Sequence, residues 1–187
     1  MIIGGKDLLN GKRFDKGGYI LTYDYDKWSF IDPKEAQKKL NLPRNPRDYT
    51  SIAVTTDDSN DEIVYASSMG DGVIQYKNGT PVQSYNEKNA FKETAGGYGS
   101  GYCYIDGLAF DKNGNLWMTS SEVNHAVLVL DKAGAWHRLD IEQLRGVYTI
   151  NDILITSTND KWIYVPRNTP KLVMIPNSES LDEVSSY

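Results

Sequence analysis

Residues 105–118 read IDGLAFDKNGNLWM, and this stretch decides the fold. An alternating apolar run leads into Asp111–Asn115, and a second apolar run with a tryptophan inside it follows. Asn-Gly between two such runs predicts a β-hairpin, because both residues tolerate the positive φ of a type I′ turn. A calcium loop of the helix–loop–helix kind needs glycine at its sixth position, whereas this glycine is the fourth. The stretch therefore predicts a tight turn between strands and not a metal site.

The same pattern of apolar run, polar turn and apolar run occurs twice more, at residues 51–67 (SIAVTTDDSNDEIVYAS) and 152–165 (DILITSTNDKWIYV). A second repeated unit follows it, as GVIQYKNGTPVQSY at 72–85 and AVLVLDKAGAWHRL at 126–139, and residues 19–31 have the same form. The order strand, turn, strand, loop, strand, turn, strand thus recurs at about the 40–50-residue period that is typical of β-propeller blades.

These repeats predict an all-β fold, a partial β-propeller of about 3.5–4 four-stranded antiparallel blades that occupies residues 1–187 as one segment. The parts of the blades are assigned to residues 1–32, 49–86, 104–141 and 150–176. The exception to the β pattern is a short helix at 33–41, which Asp32 and Pro33 begin and which ends before Pro43. A larger ring is favoured, although a small four-bladed ring closed by its two ends is an open alternative.

Composition excludes several classes of function. The net charge of −5 argues against an electrostatic grip on nucleic acid. No apolar run reaches the length of about 20 residues that spans a bilayer, so no membrane insertion is expected in this segment. The first residues show no signal-peptide pattern. Cys103 is the single cysteine, which rules out an internal disulfide.

The stretch IDGLAFDKNGNLWMTS, with LVLDKAGAWHRL after it, resembles the propeller repeats in sensor ectodomains of Bacteroidetes hybrid two-component systems. It is still more similar to the propellers of PorZ-like proteins of the type IX secretion system, because the lead-in GGYGSGYCYIDGLAFD and the strand GAWHRL match them. The resemblance implies a cell-surface or periplasmic location. It also implies a role in processing or anchoring secreted cargo, with surface polysaccharide as one ligand.

The candidate catalytic residues favour structural roles. Nucleophilic catalysis needs a base beside the nucleophile, yet His125 and His137 have no partner at a telling spacing. Cys103 lies between two tyrosines at a strand start, as a small buried apolar residue does. The acidic cluster 57–62 is interpreted as a solvated hairpin tip. Asn78 begins a glycosylation acceptor pattern, but an Asn-Gly hairpin explains it. We predict no catalytic residue, no metal site and no cofactor.

The glycine-rich segment 95–102 carries the predicted binding residues. Glycine allows close approach of the backbone, and tyrosine offers a rigid apolar face with a hydrogen-bonding tip. Tyr98, Tyr102 and Tyr104 are therefore the candidate ligand-binding residues, and a tight connection between blades is the alternative interpretation of the segment.

Two classes of function stay open. The favoured class is a non-catalytic binding or scaffold segment of a PorZ-like surface protein, with the ligand-sensing ectodomain of a two-component sensor as its alternative. The partner would be a protein or a surface polysaccharide, together with the remaining propeller blades or another chain. The second class is a propeller enzyme of the lactonase or lyase type, whose site would lie in missing blades.

Overall fold

The computed structural model describes residues 2–3, 6–9, 12–15, 18–91, 101–167, 169–178 and 181. The chain is mostly β, as predicted, and its strands pair antiparallel. The strands are Ile2–Ile3 (β1), Lys6–Leu9 (β2), Lys12–Asp15 (β3), Tyr19–Asp24 (β4), Lys27–Ile31 (β5), Tyr49–Thr56 (β6), Glu62–Gly70 (β7), Gly72–Lys77 (β8), Thr80–Tyr85 (β9), Cys103–Phe110 (β10), Leu116–Ser120 (β11), Val127–Leu130 (β12), Trp136–Leu139 (β13), Asp152–Ile155 (β14), Lys161–Val165 (β15) and Lys171–Ile175 (β16).

The strands form repeated antiparallel units. β6–β9 pair in chain order, and so do β10–β13 and β14–β16. A short pairing of Met69–Gly70 with Cys103–Tyr104 joins the first two units into one eight-stranded sheet. A separate sheet has the order β1-β4-β5, and β2 pairs with β3. The division of these units into propeller blades stays a prediction.

The turn in the opening stretch recurs in three other hairpins. The backbone N–H of Asp111 donates to the carbonyl of Asn115, and that of Gly114 donates to the carbonyl of Asp111. The same two bonds close the turns 57–61, 131–135 and 156–160, and each turn has positive φ at its fourth residue. The predicted type I′ geometry is wrong here, because among the described residues of this turn φ is positive at Gly114 and not at Asn113. A type I′ pair does occur at Asn78-Gly79, where both φ values are positive.

The helix α1 spans Pro33–Leu40 and packs beside β9. Asp32 is its N-cap, since the Asp32 carboxylate accepts a hydrogen bond from the backbone N–H of Lys34. Asn41 closes the other end in the left-handed conformation. A 3₁₀ turn, Glu142–Leu144, is the other helical element with printed bounds in the described chain. None of the described helices is long and apolar enough to cross a membrane.

The core lies between successive units. Ile20 and Ile31 pack with α1 against one face of β6–β9. The other face of β6–β9, which includes Tyr65 and Val73, packs against Met118 and Leu128 of β10–β13. The opposite face of β10–β13 packs against β14–β16 in a third cluster, which contains Trp117, Val127, Val129, Ile153, Ile163 and Val173. Each unit therefore buries one face against the unit before it and the other against the unit after it.

Candidate binding site

The start of β10 places Tyr102, Tyr104 and Asp106 at alternate positions. Successive side chains of a strand point to opposite faces, so these three lie on one side and Cys103 and Ile105 lie on the other. Cys103 and Ile105 are each 1% exposed and belong to the core. The strand thus turns an apolar side inward and a row of hydroxyl and carboxyl groups to its other side.

Asp106 is a buried carboxyl group that joins three parts of the chain. Its Oδ2 accepts a hydrogen bond from Ser121 Oγ at 2.7 Å, and the Tyr104 hydroxyl also bonds to it. Ser121 Oγ in turn accepts from the backbone N–H of Ile150 at 2.8 Å. Burial raises the pKa of Asp106 to about 7, and the nearby charge of Asp152 adds to this against the two hydroxyl bonds, which lower it.

Tyr102 packs its ring on the backbone of the β7–β8 turn. A Cβ atom at Gly70 would lie 2.7 Å from Tyr102 Cε2, and Gly70 has φ +122°, so only glycine fits there without strain. The Tyr102 and Tyr104 rings meet edge to face with centroids 6.5 Å apart. Burial raises the pKa of Tyr102, with the Asp48 charge the next contribution and the Arg47 charge opposing it. The tyrosine pair therefore lies among fixed charges.

Those charges come from the loop between α1 and β6 and from the turn between β7 and β8. Asp71 Oδ1 accepts from Arg44 Nε at 2.7 Å, and its Oδ2 accepts from the backbone N–H of Arg47 at 3.1 Å. Ser68 Oγ donates to the Arg47 carbonyl at 2.6 Å, which fixes the loop on β7. The Oδ1 atom of Asn45 is buried and has no hydrogen-bond partner among the described residues.

We call Arg44, Arg47, Asp48, Asp71, Tyr102 and Tyr104 the tyrosine–arginine surface. It combines guanidinium donors, carboxylate acceptors, phenol groups that do both, and aromatic rings. Such a mixture suits a polar ligand that carries several hydroxyl groups, because donors and acceptors alternate along it.

Two of the three predicted binding residues, Tyr102 and Tyr104, therefore come together, whereas Tyr98 lies outside the described residues. The sequence analysis missed the arginines and Asp71. Residues 44–48 resembled a connection between repeats, and nothing in their order indicated that they fold back onto the start of β10. The available signal was the density of charge around Pro46, in Arg44, Arg47 and Asp48.

The candidate catalytic residues lie in other settings. Burial raises the pKa of the Cys103 thiol to about 12, so the reactive thiolate is scarce at neutral pH. His137 Nε2 lies 2.9 Å from Asp131 Oδ2 at the β12–β13 hairpin. His125 lies before β12 and contributes to the charge environment of Asp140. Within the described ranges, no three His, Cys, Asp or Glu side chains are grouped so that they could hold a metal ion.

The acidic hairpin tip, predicted to be solvated, is an ion-paired turn. Lys77 Nζ lies 2.7 Å from Asp57 Oδ2 and 2.8 Å from Asp61 Oδ2. The hydrogen bond from Lys77 is the largest cause of the lowered pKa of both carboxyl groups. A cleft of about 620 Å³ opens beside this turn, between it and the turn at 111–115. Its lining includes Tyr65, Phe110 and Lys132.

No protein-family model and no curated protein matches the chain. Among solved structures it is similar to PorZ, an essential bacterial surface component of the type IX secretion system of Porphyromonas gingivalis, with 22% identity and a TM-score of 0.72. That match covers 92% of this chain and 23% of the PorZ chain, so this chain spans about a quarter of PorZ.

A second similar structure is the extracellular domain assigned to a hybrid two-component system of B. thetaiotaomicron, with 18% identity and a TM-score of 0.44. It covers 70% of this chain and 16% of that one. The structural neighbours thus include both groups that the sequence resembles. At these identities the likeness to PorZ shows the fold alone.

Proposed function

We propose that the chain is a non-catalytic binding segment of a PorZ-like β-propeller at the cell surface or in the periplasm, and that it contacts its ligand through the tyrosine–arginine surface. The observation that carries this proposal is the convergence of Tyr102, Tyr104 and the Arg44–Asp71 pair on one side of the β10 start. The hydrogen bonds of Asp106 and Ser68 hold that arrangement in place.

The propeller part of the proposal assigns blade parts to residues 1–32, 49–86, 104–141 and 150–176. Two features support it: the turn that recurs with the same two backbone hydrogen bonds, and the order in which each unit packs on the next. The similarity of fold to PorZ over most of this chain supports it as well. In this arrangement β6, β10 and β14 are the first strands of successive blades.

For the ligand we favour a surface polysaccharide over a protein. Sugar hydroxyl groups need donors and acceptors at short intervals, and the Tyr104 hydroxyl, the Arg44 guanidinium and the Asp71 carboxylate supply both. Aromatic rings add apolar contact with the carbon faces of a sugar ring. A protein partner would be expected to bury a larger apolar centre than this surface offers.

Titration calorimetry of the purified chain against a panel of neutral and acidic bacterial surface polysaccharides tests the proposal. We expect at least one polysaccharide to bind, and Tyr102→Ala and Arg44→Ala each to weaken it about tenfold or more. Tyr25→Ala is the matched control, because Tyr25 is 95% exposed at the β4–β5 turn. Equal loss in all three variants, or no binding in the panel, would contradict the polysaccharide assignment.

A further inference from the structure

The last unit, β14–β16, leaves one face uncovered. Its buried face packs on β10–β13, whereas the opposite face carries five large apolar side chains that are 38–66% exposed: Leu154, Trp162, Tyr164, Leu172 and Met174. The strand register places Trp162 beside both Leu154 and Met174, and Tyr164 beside Leu172. The five side chains therefore form one continuous patch, which we call the trailing face.

The corresponding positions of the preceding unit are buried. Trp117 lies six residues after Asp111, the first residue of its turn, and Trp162 lies six residues after Thr156, the first residue of the equivalent turn. Trp117 pairs with Val129, and both are at most 1% exposed because β14–β16 covers them. Trp162 pairs in the same way with Met174, yet these two are 38% and 47% exposed. The trailing face thus repeats a surface that is covered wherever another unit follows.

The first unit leaves the opposite kind of face uncovered. Ile20 of β4 packs on β6–β9, while the other side of β4–β5 carries Tyr23, Trp28 and Phe30, which are 57–65% exposed. Tyr23 and Trp28 are cross-strand partners with ring centroids 4.9 Å apart, and Phe30 pairs with Leu21. We call this patch the leading face, because in the later units the corresponding side is the one that packs on the unit before it.

We propose that a second copy of this chain covers the trailing face, by placing its leading face on it. The three established junctions all join the trailing side of one unit to the leading side of the next, so a head-to-tail contact between copies continues the same series. Exposed apolar patches of this extent mark interaction surfaces. The contact is heterologous, and two copies that close on each other would bury both patches of each.

This inference is independent of the ligand of the tyrosine–arginine surface, and the two can fail separately. The experiment measures the mass of the chain in solution by sedimentation equilibrium over a range of concentrations. We expect the wild-type chain to form dimers or larger assemblies. Leu172→Lys removes the trailing face and Phe30→Lys removes the leading face, and each variant should raise the dissociation constant by on the order of 100-fold, because a lysine would be buried without a partner.

The two variants together give the sharper result. Each alone lacks one half of the contact, but a mixture has one intact trailing face and one intact leading face. An equimolar mixture of Leu172→Lys and Phe30→Lys should therefore form a 1:1 dimer that grows no further. Val82→Lys on β9 is the control, since Val82 is 43% exposed and belongs to neither face. Circular dichroism confirms that each variant is folded.

Three outcomes would overturn the proposal. A wild-type chain that stays monomeric at about 100 μM shows that a second copy does not cover the face. Association that neither face variant reduces shows that another surface is responsible. A mixture that stays monomeric, when the wild type associates, shows that like faces meet or that further sheets of a longer polypeptide are the natural cover.

Discussion

The indole nitrogen of Trp117 donates a hydrogen bond to Oδ2 of Asp111 at 2.9 Å, which ties the recurring turn to the buried face of β11. Oδ1 of the same carboxylate accepts from the backbone N–H groups of Asn113 and Asn115. On the ring itself lies the Nζ of Lys161, 4.4 Å from the centroid, so the next unit also contacts this tryptophan. One aspartate thus links a turn, a strand and a junction between units.

Asp111→Ala should lower the free energy of unfolding by about 2–4 kcal/mol, because it leaves the buried indole N–H and two turn amides without their acceptor. Chemical denaturation followed by tryptophan fluorescence measures the change. Asp131→Ala is the matched control: Asp131 begins the same type of turn but binds a backbone amide and the half-exposed His137. Its cost should be about 1 kcal/mol, and an equal cost in both variants would contradict the role of the indole bond.

The buried carboxyl of Asp106 should make stability depend on pH. Its pKa is raised to about 7 in the folded chain, so the unfolded chain releases this proton near pH 4 while the folded chain keeps it. Between about pH 4 and pH 7 the folded state therefore holds more protons than the unfolded state, and stability falls as pH rises. The loss is on the order of 4 kcal/mol and is complete above pH 7.

Asp106→Asn should remove this part of the pH dependence, because asparagine stays neutral and can still accept from Ser121. Urea denaturation at intervals from pH 4 to 8 compares the two proteins. We expect the difference between variant and wild type to move in favour of the variant as pH rises. A difference that is constant with pH would show that Asp106 ionises normally.

Gly70→Ala should displace Tyr102 and lower stability by about 2–4 kcal/mol, because the new Cβ would lie 2.7 Å from the ring and φ is +122°. Gly134→Ala is the control, since Gly134 has φ +90° with no atom within 4 Å of the added Cβ. It carries the backbone strain alone, about 1 kcal/mol. The comparison separates the contact with Tyr102 from the strain, and equal costs would show that the ring moves freely aside.

Cys103 should resist thiol reagents in the folded chain. Its pKa is raised to about 12 chiefly by burial, and its side chain is 1% exposed. With 5,5′-dithiobis(2-nitrobenzoate) at pH 8 we expect no release of colour from the native protein and one equivalent after unfolding in guanidinium chloride. Rapid reaction of the native chain would show that the start of β10 opens readily, which would weaken the case for a preformed surface.

Sequence patterns predicted the local structure well where local residues determine it. Asn-Gly and Asp-rich turns between alternating runs predicted the hairpins, and the positive φ of Gly114 and Asn60 shows why those residue types are there. The type I′ geometry expected at Asn113-Gly114 was wrong. The Asp111 carboxylate accepts two backbone amides across a longer loop, and that competing arrangement cannot be inferred from the dipeptide.

The candidate site was predictable only in part. Tyr102 and Tyr104 stood out because the glycine-rich lead-in and the alternation on β10 are both local. Their neighbours Arg44 and Asp71 come from elements that are far apart in sequence, and the pairing of Asp71 beside Cys103 is a long-range contact. Asp106 was not singled out either, since its burial depends on Ser121 and on the approach of β14.

The measurement that tests the central claim most directly is the nuclear magnetic resonance of ring-labelled tyrosines during a polysaccharide titration. The chain has 13 tyrosines, and single Tyr→Phe variants assign their signals. The account predicts that the Tyr102 and Tyr104 signals shift together and saturate, while those of the buried Tyr76 and the exposed Tyr25 stay in place. A saturable titration in which other tyrosines shift and these two do not would contradict it.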